Sequence, residues 1–262
     1  MIGKIIKDNP CYGYPRIKKA LSDKYNEKVN HKLLLKLLKL WGLQLKRKTK
    51  KKKKSWMIRV LDFLQSRANL LRKAKTEGKI DSCFKAIVSD ITEINFKAGK
   101  AYLCVHLDYF GKMVYGWELG LNPNRHLVIS SFRKTIRKLK KLGAATPIIA
   151  KIIFHQDRGT QYTSADYTTE VLGTKAYLSF SKKGQPGDNA VNESFFSRLK
   201  DEWRDIFVEA ETFEELEKLV KKSIVYYNER RYHTSIDKQT PLEFIKIQAK
   251  KLLTLNGRNL VR

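Results

Sequence analysis

The order of apolar runs between residues 84 and 204 most constrains the fold. Short runs rich in β-branched residues predict strands, and longer stretches with an apolar residue every three or four positions predict helices. Three strands followed by alternating helices and strands predict an α/β fold, a mixed sheet with helices on both faces. The predicted elements are strands 84–91, 101–109 and 112–119, helix 125–142, strand 147–155, helix 164–172, strand 176–181 and helix 189–204.

Two aspartates lie within or directly after these strands. Asp90 falls inside the first strand, where a buried carboxylate is costly unless it is paired or bound to a metal. Asp157 falls where the fourth strand gives way to a glycine turn, and ligand groups collect at such strand ends. Taken singly, Asp90 could be a salt-bridge partner and Asp157 a turn residue. Asp108, at the end of the second strand, is predicted to be structural.

A third acid, Glu193, lies one turn into the helix that follows a Gly-Gln-Pro-Gly loop at residues 184–187. Either Asp188 or Asn189 can cap this helix. The predicted buried stripe of the helix consists of Val191, Phe195 and Leu199. Alone, Glu193 could be an ordinary surface acid. Lys200 follows it after seven residues, so a carboxylate and an ammonium share one flank that could hold a metal and a phosphate together.

The three acids are separated by 66 and 35 residues and stand in distinctive motifs. These motifs are SDITE at 89–93, HQDRGTQYTS at 155–164, the segment 184–202, and YNERRYH at 227–233 followed by Thr240 and Pro241. With them, the chain resembles the DDE transposases with a retroviral-integrase-like catalytic core. The resemblance is strongest to the second-frame transposases of the insertion-sequence-three family.

This resemblance implies a ribonuclease-H-like sheet and catalytic, metal-binding roles for Asp90, Asp157 and Glu193. It implies DNA strand cleavage and strand transfer at the ends of an insertion sequence, without a covalent protein intermediate. The implied partners are element-end and target DNA, further copies of the chain on that DNA, and the helix-turn-helix protein of the upstream reading frame. Lys200 is the implied basic residue seven positions beyond the third acid.

The chemistry of the acids indicates the metal. Oxygen ligands suit Mg²⁺, with Mn²⁺ as an alternative. Two such ions about 3.5–4 Å apart can activate an oxygen nucleophile, neutralise phosphate charge and stabilise the leaving oxygen. His155 and His233 are predicted to pack or to form hydrogen bonds and are left out of the metal site.

The net charge indicates a polyanionic partner. The chain has 54 Lys and Arg against 26 Asp and Glu, a formal charge of +28. Nucleic acid is the first candidate because cationic surfaces bind phosphate chains through counterion release. An anionic membrane is the rival, but no run reaches the roughly 18 apolar residues of a spanning helix, and no signal-type core is present. We therefore expect a cytoplasmic, nucleoid-associated protein without a membrane partner.

Eight of the nine residues at 46–54 are Lys or Arg, which repel one another and predict a linker. It either contacts DNA phosphates or is a solvated tail, and the neighbouring catalytic core favours the first interpretation. Other lysines lie before the glycine-rich loop or on the outer face of an N-terminal helix. The predicted DNA-binding lysines are Lys32, Lys36, Lys50, Lys51, Lys52, Lys182, Lys183 and Lys200.

Helical patterns precede and follow the sheet. Pro15 suits the first turn of one helix, and Asn30 caps a second that ends at Gly42. The predicted inward residues of the second helix are Leu34, Leu37, Leu38 and Trp41. The two helices predict a partial helix-turn-helix. The alternative is a helical hairpin that only packs and does not bind DNA. Further helices are predicted at 56–75, 213–228 and 241–253.

Four regions follow from these patterns. They are a partial helix-turn-helix segment at 1–45, a basic linker and helix at 46–80, a ribonuclease-H-like integrase core at 81–210, and a helical extension at 211–262. Two alternatives to a transposase remain: a nuclease on the same fold that only hydrolyses, and a non-catalytic DNA-binding protein. The intact acids argue against the second, and the helix-turn-helix and tail motifs argue against the first.

Overall fold

The computed structural model describes residues 1–45, 56–64, 68–182 and 189–258, without the side chains of Trp56 and residues 252–258. The chain forms two compact units, Met1–Lys53 and Lys54–Arg262. In the described part of the chain, no helix is both long enough and apolar enough to cross a membrane.

The described residues of the first unit form three helices, α1 (Ile2–Asp8), α2 (Tyr14–Tyr25) and α3 (His31–Leu40). Pro15 lies in the first turn of α2, where its missing N–H costs no helical hydrogen bond. As predicted, the Asn30 side chain caps α3 by accepting a hydrogen bond from the Lys32 amide at 2.8 Å. The apolar faces of the three helices meet in one small core. That core consists of Ile5, Ile17, Leu21, Leu34 and Leu38.

One inward prediction for this unit is wrong. Trp41 is the residue after the last turn of α3, and its side chain remains 51% exposed. Because its backbone has left the helical conformation, Trp41 does not continue the stripe of Leu34 and Leu38. Gly42 follows with φ +67°, a left-handed conformation that suits glycine and ends the helix as predicted.

The second unit is built on a five-stranded mixed sheet. Its strands are β1 (Ala86–Phe96), β2 (Gly99–Asp108), β3 (Val114–Gly120), β4 (Ile153–Gln156) and β5 (Tyr177–Phe180), in the spatial order β3-β2-β1-β4-β5. The first three strands form the predicted antiparallel meander. Strands β4 and β5 run parallel to β1. The longest strand, β1, therefore lies at the centre and joins the two halves of the sheet.

Helices cover both faces of this sheet, as the sequence predicts. They are α4 (Trp56–Leu64), α5 (Leu70–Thr76), α6 (Arg125–Lys141), α7 (Thr146–Ile149), α8 (Ala165–Gly173), α9 (Ala190–Val208), α10 (Phe213–Glu229) and α11 (Pro241–Arg258). On one face, Ile87 packs with Phe132 of α6 and Tyr167 of α8. On the other face, Val88 packs with Phe195 of α9 and with residues of α10. Adjacent residues of β1 thus face two separate cores.

Two predicted elements have different bounds in the structure. The predicted strand 147–155 begins as the short helix α7, and only Ile153–Gln156 is extended. Pro147 occupies the first turn of α7, and a short apolar run cannot by itself distinguish strand from helix. The predicted helix 56–75 is two helices, because the Asn69 side chain caps α5 by accepting from the Arg72 amide at 2.9 Å. Residues 65–67 lie outside the described residues.

Candidate active site

The pairing of β1 with β4 places the two aspartates beside each other. These strands run in parallel, with Val88 opposite His155. Asp90 lies two residues beyond Val88 and Asp157 two residues beyond His155, so the register, continued past the end of β4, brings the two aspartates level with each other. Neighbouring strands lie about 4.8 Å apart. Asp90 stands within β1, whereas Asp157 is the first residue after the end of β4.

Helix α9 carries the third acid to the same end of the sheet. Phe195 and Leu199 anchor α9 on the face of β1 that carries Val88. Glu193 lies in the first turn of α9 and is exposed. Asn189, immediately before the helix, donates a hydrogen bond from Nδ2 to Oδ2 of Asp90 at 2.8 Å. The start of α9 therefore lies against Asp90.

Burial and the two other acids shape the chemistry of Asp90. Burial raises the pKa of Asp90 to about 6, and the charges of Asp157 and Glu193 also act to raise it. The Ile91 amide, which donates to Asp90 Oδ1 at 2.8 Å, and the Asn189 amide oppose this rise. The charges of Asp157 and Glu193 thus act on Asp90, whose surroundings favour the neutral acid or a bound cation.

The donor set suits a divalent cation, although the side chains as they stand do not enclose one. Over the ranges that the structure describes, no three His, Cys, Asp or Glu side chains are close enough to hold a metal ion. Glu193 is exposed on a rigid helix, so a change of rotamer is enough to move its carboxylate. Asp90 makes one hydrogen bond through each oxygen, which leaves acceptor capacity on both. The residues therefore fit a site for an ion that prefers oxygen ligands.

The turn after β4 fixes Asp157. The Gly159 amide donates to Asp157 Oδ1 at 2.9 Å. A Cβ on Gly159 would lie 2.9 Å from that same oxygen and closer still to the side chain of Gln161, so a larger residue here requires both side chains to shift. Arg158 donates from Nε to the carbonyl oxygen of Ser181, beyond the end of β5, at 3.0 Å. The Asp-Arg-Gly sequence thus orients the carboxylate.

Buried polar contacts lie next to both aspartates, with Ser89 and Gln156 on the opposite face of the sheet and His155 on the same face. Ser89 Oγ and Tyr162 OH are 2.9 Å apart, and His155 Nδ1 is 2.8 Å from Ser179 Oγ. Gln156 Oε1 accepts from Tyr167 OH at 3.5 Å. The sequence prediction of hydrogen bonding or packing for His155 is therefore confirmed. Sequence reasoning did not identify the hydrogen bonds of Ser89 and Gln156, although each residue directly precedes one of the two aspartates.

The tail motif holds α9 in place. The Tyr227 ring packs edge-on against Phe195 at 4.7 Å and against His233 at 4.8 Å between ring centroids. Arg231 Nε donates to Glu202 Oε1 of α9 at 2.8 Å. We call Tyr227, Asn228, Arg231 and His233 the C-terminal brace. Sequence reasoning had no local signal for this role, because the contacts join segments about 30 residues apart.

Asn228 links the brace to the edge strand β3. Its Oδ1 accepts from the Val114 amide at 2.9 Å, and its Nδ2 donates to the Val114 carbonyl at 3.0 Å. The side chain thus satisfies both backbone groups of one edge residue. Asp108, as predicted, is structural, because its buried carboxylate accepts hydrogen bonds from backbone and hydroxyl groups. The donors are Phe84 N, Phe110 N, Gly111 N and Tyr115 OH.

The predicted DNA-binding lysines belong to different parts of the chain. Lys200 is half-buried and shares a pocket with Glu93 and Arg204. Glu93 lies three residues beyond Asp90 on β1. A hydrogen bond from Lys100 lowers the pKa of Glu93, and the charge of Lys200 adds to that effect. Lys182 is exposed beyond β5, and Lys32 and Lys36 are exposed in the first unit. Lys50, Lys51, Lys52, Lys183 and the possible cap Asp188 lie outside the described residues.

Comparison with known proteins gives consistent matches. Two integrase core domain models match residues 84–186 and 174–241, and an HTH-like domain model matches residues 2–51. A transposase for insertion sequence element IS904 of Lactococcus lactis subsp. lactis is 34% identical over 184 residues, 69% of this chain and 68% of that protein. An uncharacterized transposase-like protein of Haemophilus influenzae is 30% identical over 219 residues, 83% of this chain and 93% of that protein.

A solved structure shares the fold. A chain of the cryo-EM structure of a simian T-cell lymphotropic virus intasome in complex with PP2A regulatory subunit B56 gamma aligns with a TM-score of 0.51 and 15% sequence identity. The alignment covers 63% of this chain and 55% of that chain. Together with the strand order, it confirms the predicted ribonuclease-H-like sheet.

We expect Asp90→Asn to stabilise the metal-free protein above about pH 6. Burial raises the pKa of Asp90 from its ordinary value of 3.8 to about 6 in the folded state. At about 1.4 kcal/mol per pKa unit, the charge costs about 3 kcal/mol at pH 7, and a lost hydrogen bond offsets about 1 kcal/mol of the gain. The free-energy penalty for the charged carboxylate is complete at pH values above the folded-state pKa. It fades as the pH falls towards the pKa of the unfolded state. Urea unfolding in chelator at pH 7.5 and 4.5 measures the effect. The gain in the free energy of unfolding should be about 2 kcal/mol at pH 7.5 and should shrink by more than half at pH 4.5.

The exposed Asp166→Asn is the control. An equal effect of Asp90→Asn at both pH values would contradict the raised pKa of Asp90.

We expect Asn228→Ala to destabilise the second unit by about 2–3 kcal/mol, because it leaves two backbone groups of Val114 without their partner. Urea unfolding measures the loss. Asn122→Ala, at an exposed position before α6, is the matched control and should change stability by less than about 0.5 kcal/mol. A loss of that small size for Asn228→Ala would show that the brace does not hold β3.

Proposed function

Because this chain belongs to the insertion-sequence transposases with an integrase core domain, we propose that it cuts and joins DNA at Asp90, Asp157 and Glu193. The integrase core makes it a polynucleotidyl transferase, an enzyme of DNA transposition. The observation that carries the residue assignment is that β4 and the start of α9 both meet β1 at Asp90: β4 pairs in parallel with β1, and Asn189, directly before α9, donates a hydrogen bond to the Asp90 carboxylate.

The three carboxylates are the groups that would hold two divalent ions, Mg²⁺ or Mn²⁺, since both ions favour oxygen ligands. When bound, such ions activate an oxygen nucleophile, neutralise phosphate charge and stabilise the leaving oxygen. The chain itself positions the three carboxylates. Parallel strands set Asp90 beside Asp157, and the first turn of α9 sets Glu193 near them. With water as the nucleophile the product is a nick, and with a DNA 3′-hydroxyl it is a joined strand.

The lysines are proposed to place the DNA. Lys200 on α9 lines a pocket with Glu93, which is three residues from Asp90 on β1, and is proposed to contact a phosphate near the cut. Lys182, exposed beyond β5, is proposed to contact the backbone, as is Lys183 from the sequence alone. In the first unit, the exposed Lys32 and Lys36 stand on α3 within the HTH-like match.

The basic run and the assembly complete the proposal. Residues 46–54 are proposed to track phosphates without reading sequence, because like charges carry no base-reading geometry. The proposed partners are element-end DNA, target DNA and further copies of this chain. Incubation with labelled element-end DNA and Mg²⁺ tests the function, since joined products indicate a transposase and nicked products alone indicate a nuclease.

We expect Asp157→Asn and Glu193→Gln each to lower cleavage and joining by more than about 100-fold, a barrier increase above about 2.7 kcal/mol. Binding of element-end DNA should change little, because the fold and the basic surface remain. Product analysis on gels and a DNA-binding titration measure the two effects. Asp166→Asn, a surface acid paired with Arg125, is the matched control. Activity within about tenfold of wild type would remove that acid from the site.

Lys200→Ala is expected to weaken joining at limiting DNA, and excess DNA should partly restore it. An ammonium near the phosphate places the DNA without coordinating a metal. Glu193→Gln should show no such recovery, because DNA cannot replace a missing carboxylate. Lys221→Ala removes one exposed charge from α10 and serves as the control. If Lys200→Ala joins normally at limiting DNA, Lys200 is only a surface partner of Glu93.

A further inference from the structure

Asn189 occupies the capping position of α9 but does not cap it. Asparagine is among the preferred N-cap residues because its side chain accepts a backbone hydrogen bond. The caps of α3 and α6, Asn30 and Asn124, do so. Asn189 makes no such bond, and its Nδ2 donates instead to Asp90 Oδ2 at 2.8 Å. The chain therefore gives up a local stabilising contact for one with Asp90.

A second asparagine orients the first. Asn192 donates from Nδ2 to Asn189 Oδ1 at 2.7 Å, and its side chain is fully buried. Its own Oδ1 has no hydrogen-bond partner among the described residues. A buried polar atom without a partner destabilises a fold, and each such atom in a native structure calls for an explanation. An aliphatic side chain of similar size would avoid this cost, so the contact with Asn189 is the reason we assign to Asn192.

The two donors to Asp90 leave its remaining acceptor sites in one defined orientation. A carboxylate has about four acceptor sites, two on each oxygen. The Ile91 amide takes one on Oδ1, and Asn189 takes one on Oδ2. The carboxylate cannot rotate about its Cβ–Cγ bond without breaking both hydrogen bonds. One site on each oxygen stays open, and their direction is set by these two donors.

We propose that Asn189 is a positioning residue that orients Asp90 for metal binding, and that Asn192 holds the Asn189 amide in the donating orientation. This inference rests on the proposed function, in which Asp90 binds the metal. Hydrogen-bond partners of metal ligands raise affinity by fixing the ligand before the metal arrives, and their removal typically costs about 10–100-fold in metal affinity. The relay Asp90–Asn189–Asn192 extends the site from β1 into the first turn of α9.

The test is binding of Mn²⁺ alone to the full chain without DNA, followed by electron paramagnetic resonance of the free ion. Asn189→Ala should weaken Mn²⁺ binding about 10–100-fold. Asn192→Leu should weaken it in the same direction, whereas the melting temperature in chelator should stay the same or rise, because no unpartnered oxygen is then buried. A purely structural role predicts the opposite pair of results, a lower melting temperature and unchanged Mn²⁺ affinity.

Asn124→Ala is the matched control, because Asn124 caps α6 through its side chain. It should lower the melting temperature and leave Mn²⁺ affinity unchanged. Wild-type or tighter Mn²⁺ binding by Asn189→Ala would overturn the inference, and tighter binding would show that the amide competes with the metal. Asp90→Asn separates this failure from that of the proposed function. If Asp90→Asn also binds Mn²⁺ normally, Asp90 is not a ligand, whereas a loss confined to Asp90→Asn would overturn only the role of Asn189.

Discussion

The parallel pairing of β1 with β4 is the interaction on which the candidate site depends. Three register pairs, ending at Val88 and His155, are enough to set Asp90 beside Asp157. Because side chains alternate along a strand, a slip of one residue would turn Asp90 to the opposite face of the sheet. The two cores prevent such a slip, since Ile87 and Val88 are both fully buried on opposite faces. The position of the acids is thus a consequence of packing.

Sequence reasoning reached the fold and the family because both leave local signals. The meander and the alternation of helices and strands predicted the mixed sheet, and the resemblance to insertion-sequence transposases is confirmed by the matching relatives. Apolar periodicity located α6, α8, α9 and α10 within a few residues of their observed ends. Sequence reasoning failed where one local pattern fits both a strand and a helix. The apolar run at 147–155 predicts a strand throughout, although Pro147 suits the first turn of a helix and the structure begins this run with α7.

The site was predictable in its acids but not in their support. Asp90, Asp157 and Glu193 stay predictions as metal ligands, and burial together with the charges of Asp157 and Glu193 raises the pKa of Asp90. The partners of these acids come from distant parts of the chain. Asn189 reads as a helix cap in sequence, and only the folded chain shows that its amide turns to Asp90, 99 positions away. The brace is similar, because Asn228 contacts Val114 across 114 positions. Such pairings leave no periodic pattern.

Charge placement explains why the acids stand without basic partners. The chain has 54 Lys and Arg, yet none of the ion pairs between described residues involves Asp90, Asp157 or Glu193. An ammonium among these carboxylates would lower their pKa values and occupy the acceptor sites that a cation needs. Lys200 instead lines a pocket with Glu93 that includes none of the three acids. A basic surface can then attract DNA while the acids keep the negative charge that attracts a divalent ion. The cost is the unfavourable burial of Asp90, and the hydrogen bond from Asn189 offsets part of it.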